Sequence, residues 1–236
     1  MRAARMTGYT RMPETSTYSF GEIEAHVKKA VRGAGFSWGH AEETGKAIRI
    51  LESHGLPGVA ALAAYLSVRG IGKQIGRMPQ LPALSSGCWL PPQGTEGLCP
   101  ILISSLLIDF GQGYLDSQQQ LELKQVYSPL LILPAALLLA RHAGQSIQVS
   151  VAGECIVCTP SERINADLSE TRSLMGCKCA DVVLECSGAA YNPEDNLPLV
   201  ARAHLKSTDW EILDGFARNT YVPATEASRQ GAGPAE

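Results

Sequence analysis

The sequence predicts an α+β fold: an N-terminal three-helix unit joined to a mixed, mainly antiparallel sheet with packed helices. Three observations predict it. Capped segments with apolar residues at helical spacing follow one another between residues 19 and 69. A block dense in Gly and Pro then breaks the pattern. Beyond it, period-two alternation and helical stripes succeed each other without a βαβ rhythm. The expected division is a disordered leader over 1–17, a helical unit over 18–70, a Gly/Pro-rich linker over 71–100, an α+β portion over 101–222 and a flexible tail over 223–236.

Each element has its own signal. Ser19 and Glu22 have capping-box spacing, and Phe20, Ile23, Val27, Ala30, Val31 and Ala34 recur on one face, with Gly35 as the left-handed stop. Ser37 opens a second helix whose stripe is Trp38, Ala41, Gly45, Ile48 and Glu52 or Leu51, and Gly55 ends it. Leu56-Pro57 turns the chain into a third, more apolar helix from Gly58 to about Arg69. Gly70, Gly72, Gly76, Gly87, Gly94 and Gly97, with Pro79, Pro82, Pro91, Pro92 and Pro100, mark turns rather than regular structure. The stretch 101–110 is apolar and of ambiguous type, and 118–120 reads as a short polar turn. Pro134 sits in the first turn of a helix over 134–142. Alternation predicts strands over 147–151 and 154–158, paired across Ala152-Gly153, and another over 181–186. Thr208 and Glu211 again have capping-box spacing and open a helix to about Asn219, with Trp210, Leu213, Phe216 and Ala217 inward.

Composition excludes several classes. The chain has 236 residues, 20 Lys+Arg against 23 Asp+Glu, and a net charge of −3. No basic surplus exists to neutralise a phosphate backbone, so no nucleic-acid partner is expected. The longest apolar run, 130–140, has 11 residues and contains Pro134, whereas a spanning helix needs about 20, so no membrane span is expected. Arg2, Arg5 and Arg11 precede Pro13 without the apolar stretch of a secretory signal. Seven Cys in a chain this size then read as reduced thiols in the cytoplasm.

Three groups of residues are candidates for chemistry. His54, beside Ser53, stands at the C-terminal end of the second helix, where free carbonyls and the dipole favour a charged imidazole. Such a pair suits a substrate carboxylate, although a cationic helix cap needs no ligand. Cys155-x-x-Cys158 and Cys177-x-Cys179 approximate paired zinc ligands. Alternation in a strand would send the first two thiols to opposite faces, so buried or incidental thiols, and no metal, are preferred. In the tail, Thr225, Ser228 and Arg229 form a hydroxyl–guanidinium group able to clamp a carboxylate, and Tyr221 precedes them. Asp109-Phe110-Gly111 matches a kinase triplet without its companions, and Gly70-x-Gly72-x-x-x-Gly76 lacks dinucleotide spacing.

Two resemblances add expectations. The stretch Phe20 to Leu66, with its AGFSWGHAEETGKAIRILESHGLPGVAALAAYL, resembles the N-terminal helices of the malate/L-lactate dehydrogenase family that includes ureidoglycolate and sulfolactate dehydrogenases. That resemblance implies that Ser53 and His54 contact a 2-hydroxy or 2-oxo acid, with His54 catalytic and NAD(P) as cofactor. Gly58 stands where that family's arginine is expected, and only His142-x-Gly144 answers its second histidine motif. Ser37-Trp38-Gly39, SPLLILPAALLLA at 128–140 and TYVPATEASRQGAG at 220–233 resemble a bacterial family of unknown function, number 3726, over most of the chain. The function expected is binding of a small carboxylate, or an accessory role. The alternatives are a diverged NAD(P)-dependent oxidoreductase of 2-hydroxy acids, and a structural subunit that meets a second copy or a partner protein through Trp38 and Trp210.

Overall fold

The computed structural model describes residues 14–69, 77–167, 171, 174, 176–187 and 192–221. In chain order these form β1 (Thr15–Tyr18), α1 (Phe20–Gly33), α2 (Trp38–Ser53), α3 (Gly58–Arg69), β2 (Cys88–Trp89) and α4 (Pro100–Gln118). There follow β3 (Gln120–Tyr127), α5 (Leu133–Ala143), β4 (Ser146–Val151), β5 (Glu154–Cys158), β6 (Ile164–Asn165), β7 (Cys179–Ser187), β8 (Ala203–Lys206) and α6 (Ser207–Ala217). The fold is α+β.

Six strands make one sheet in the order β2-β3-β7-β4-β5-β6, antiparallel except for the β2–β3 pair. Alternation decides its sides: Ile147, Val149 and Val151 on β4 are buried against α5, and Ser146, Gln148 and Ser150 face outward. Helices α4 and α5 cover the buried face. On β3 the register shifts between Leu123 and Val126. Gln125 takes φ +53° there and donates its N–H to Asp181 Oδ1 at 2.9 Å. Lys124 bridges Glu122 at 2.8 Å and Asp181 at 3.2 Å.

The remaining helices form a second layer. The Ser19–Glu22 capping box is present, and Ile23, Val27, Ala30 and Val31 bury their face against α2 and α6. Ser37 caps α2 through the His40 N–H. Strand β1 pairs antiparallel with β8, so the two ends of the described chain are stitched together. Gly33 is required where α1 meets α6, because an added Cβ would fall on the Phe216 carbonyl. Helix α2 packs on α4 and α5, and one buried apolar cluster runs through both layers.

Several expectations need correction. Residues 15–17, expected in the leader, and Tyr18, expected in the helical unit, form a strand, because β8 supplies the partner that a local reading cannot see. The linker contains β2, and Trp89 is wholly buried against Tyr114 with ring centroids 5.4 Å apart. The stretch 101–110 is part of the 19-residue α4, which ends where Gln119 takes φ 59°. Strand β3 begins directly after it and was not foreseen. Helix α6 begins at Ser207 without a side-chain cap rather than at a Thr208 box, because β8 runs straight into it. Trp38 is 55 % exposed, with the Arg32 guanidinium 5.4 Å over its ring, and so lies off the buried stripe. The expected tail over 223–236 lies outside the described residues.

Candidate functional site

The corner between α2 and α3 is built by its own backbone. His54 caps α2, and Gly55 follows with φ +69°. Ser53 Oγ donates to the Ile50 carbonyl at 2.7 Å, and its own carbonyl accepts the Val200 N–H at 2.9 Å. His54 Nδ1 lies 2.9 Å from the Ile50 carbonyl oxygen and Nε2 3.2 Å from the Glu162 carbonyl oxygen. Each ring nitrogen thus faces a backbone carbonyl oxygen. With 5 % exposure and both nitrogens engaged, the imidazole is a strut between α2 and the turn after β5. The expected meeting of His54 with an organic acid would require one of those carbonyls to be displaced. A cleft of about 580 Å³ does adjoin Ser53 and His54, and its charged side chains each have a partner within the chain, although Arg163 Nε is buried without one among the described residues. Arg49 pairs with Glu24 at 2.9 Å, Arg163 donates to the Leu197 carbonyl at 2.9 Å, and Glu162 pairs with Arg141 at 2.5 Å.

A second cavity, about 740 Å³, opens on the other side of the same corner. Its wall on one side is apolar: Leu56, Pro57 and the small residues Ala60, Ala61 and Ala64 of α3. Opposite stand Lys178, just before β7, Arg202, just before β8, and His204 and Lys206 on β8, the last three spaced two apart. That spacing puts the last three on one face of the segment, about 13 Å from first to last. None of Lys178, Arg202 and Lys206 forms an ion pair with a described residue. His204 Nδ1 is 3.1 Å from Thr17 Oγ1.

Glu52 closes this cavity at the corner. It is 6 % exposed, and its Oε1 accepts the Val59 N–H at 2.8 Å, so it caps the start of α3. Burial pushes its carboxyl up to about 7, the Val59 and Gly58 N–H groups oppose the shift, and the charge of Asp209 adds to it. Asp209 lines the same cavity from the first turn of α6. The arrangement offers unpaired cations, an apolar wall and one carboxyl poised between its two forms near neutral pH.

The other predicted residues do not join it as a set. Thr225, Ser228 and Arg229 lie outside the described residues, and Tyr221 is exposed. Cys155 is exposed on β5, whereas Cys158 is wholly buried on the opposite face, its thiol pushed up to about 12 by burial. Register places Cys155 beside Ser150, and Ser150 beside Val183, four residues beyond Cys179. Cys155 and Cys179 are therefore roughly 16 Å apart by strand spacing and rise. Cys177 lines the cavity, with Cys179 two residues away. The four thiols do not converge, and among the described residues no three His, Cys, Asp or Glu side chains are placed to hold a metal ion.

The Gly-rich turn that seats a dinucleotide in Rossmann-type folds is not found among the described residues. Dinucleotide binding wants a Gly-rich turn from a strand into an open helix N-terminus. The N-terminus of α1 is filled by Ser19 and Glu22, and α6 follows β8 without a glycine. Gly97, before α4, is packed against Tyr127 and the Gln125 carbonyl. The connection from β3 to α5 is buried and carries no glycine. Gly70, Gly72 and Gly76 lie outside the described residues.

Comparison with known proteins gives one positive finding. A family described as a protein of unknown function, DUF3726, matches residues 18–81. The match takes in β1's last residue, α1, α2 and α3 with their corner, and not the segments at 128–140 and 220–233 that also suggested it. No curated protein matches, and no solved structure matches. The likeness to dehydrogenases at the corner therefore gains no support.

Sequence reasoning placed the corner but not the residues that face the cavity. Glu52 carried a usable signal, a carboxylate four residues after Ile48 on an otherwise apolar stripe. The alternating Arg202, His204 and Lys206 carried a second. Lys178 carried none.

Proposed function

We propose that the protein binds a small organic acid in the 740 Å³ cavity between the α2–α3 corner and β8. The observation that carries this reading is the lining: Lys178, Arg202 and Lys206, unpaired among the described residues, face an alanine-rich wall. Carboxylate oxygens take charge-assisted hydrogen bonds from such groups, and the wall covers a short carbon skeleton. Both Arg202, just before β8, and Lys206, at its end, line the cavity, and two cations suit a dicarboxylate better than a monocarboxylate. Ser53 and His54 serve this site as positioning residues, fixing the corner from which Glu52 and Leu56 reach the cavity.

Titration calorimetry at low salt with C2–C6 mono- and dicarboxylates tests the proposal. A dicarboxylate is expected to bind below about 1 mM, with Arg202→Gln/Lys206→Gln weakening it at least about tenfold, or ~1.4 kcal/mol. Both side chains are exposed, so the melting temperature should stay put. Absence of binding by every member up to 10-fold above about 1 mM would remove the reading.

A further inference from the structure

We propose that Glu52 is the group that reads the ligand in this cavity: its carboxyl donates a hydrogen bond to the bound acid, so that the acid and one proton enter together. This rests on the binding reading above. The geometry comes first. Glu52 is buried at the corner end of the cavity, beside Leu56, and is the cavity's buried titratable group among the described residues. From α3 it meets the N–H groups of Gly58 and Val59, and from α6 it feels the charge of Asp209, which lines the same cavity. Lys178, Arg202, His204 and Lys206 line the same space from the far side. On its own helix, His54 is turned to the Ile50 and Glu162 carbonyls.

An organic acid drawn in by the cations brings a negative charge to a carboxyl that already faces Asp209. Two ionised carboxylates at close range in a desolvated site are unfavourable, and one shared proton turns the repulsion into a hydrogen bond. The proton is taken from solvent; nothing is oxidised, and no covalent bond to carbon changes. Burial already holds Glu52 near 7, so at neutral pH the proton costs little. Protonated Glu52 keeps one oxygen as acceptor for α3 while its hydroxyl turns to the ligand.

The test uses the tightest dicarboxylate of the panel, titrated at pH 6 and pH 8 in two amine buffers of different ionisation enthalpy. Binding is expected to weaken about tenfold from pH 6 to pH 8, with uptake approaching one proton at pH 8. Glu52→Gln should bind with equal affinity at both pH values and take up no proton. His204→Gln, run beside it because a cavity histidine gives the same sign, should leave the pH dependence in place. Native binding without pH dependence or proton uptake overturns the proposal, as does a slope that survives in Glu52→Gln and vanishes in His204→Gln. Loss of all binding in the native protein would instead overturn the binding reading itself.

Discussion

A glutamate on the buried stripe of a helix is a cost that the residue itself makes measurable. Unfolded, Glu52 titrates near 4.5; folded, near 7. Between those values the native state holds the extra proton, so the contribution of Glu52 to stability is fullest below about pH 4.5 and is lost as the pH rises through 7. Glu52→Gln keeps an acceptor for the Val59 N–H and removes the buried charge. It is expected to stabilise the protein at pH 8 by up to about 3 kcal/mol and to change little near pH 4.5, by urea unfolding at both. A variant more stable yet deaf to pH would identify a strained group kept for binding. The neighbouring histidine should behave in the opposite way. His54→Ala leaves the Ile50 and Glu162 carbonyls without their partner, and a loss of about 1–3 kcal/mol is expected. A change in ligand affinity without that loss would show the ring to be a direct contact.

At the scale of elements, the sequence was most legible where structure is local. The Ser19–Glu22 box, Gly35 and Gly55 act within a few residues, so α1 opens at that box, and α1 and α2 close just before those glycines. The hairpin of β4 and β5 was legible for the same reason, with Ala152 and Gly153 both at positive φ. Strand β3 was not, because its alternation is broken by the shift near Gln125 and its partner β7 lies more than fifty residues on, Leu121 facing Leu184 and Tyr127 facing Cys179. The cavity was illegible altogether as a cavity: 52–64, 176–178 and 200–209 have no sequence signal for meeting. A glycine tests the closest of these meetings. Gly33→Ala introduces a Cβ onto the Phe216 carbonyl, forcing α1 away from α6, so despite the better helix propensity of alanine it should destabilise by about 1–3 kcal/mol. Equal or higher stability in thermal denaturation would mean that the two helices do not meet this way.

For the whole molecule, the helical layer cannot be an independent N-terminal domain, although its three helices follow one another in sequence. Its α1 face is closed by α6, and β1 finds its hydrogen-bond partner in β8, almost 190 residues away by the Thr17–His204 pair. Trp210 stacks between Tyr18 and His26, with centroids 4.0 Å from each, and so fastens α6 to β1 and α1. A fragment of residues 14–69 should therefore lack a cooperative thermal transition, its apolar stripe left without α6. In the full chain, Trp210 reports the helical layer and Trp89 the sheet, because Trp89 is wholly buried beside Tyr114. Single-tryptophan variants keeping one or the other should unfold in urea at the same midpoint, since one apolar cluster spans both layers. Two separated midpoints would mean that the layers fold apart, and the cavity walls would then be set by docking rather than by a shared core.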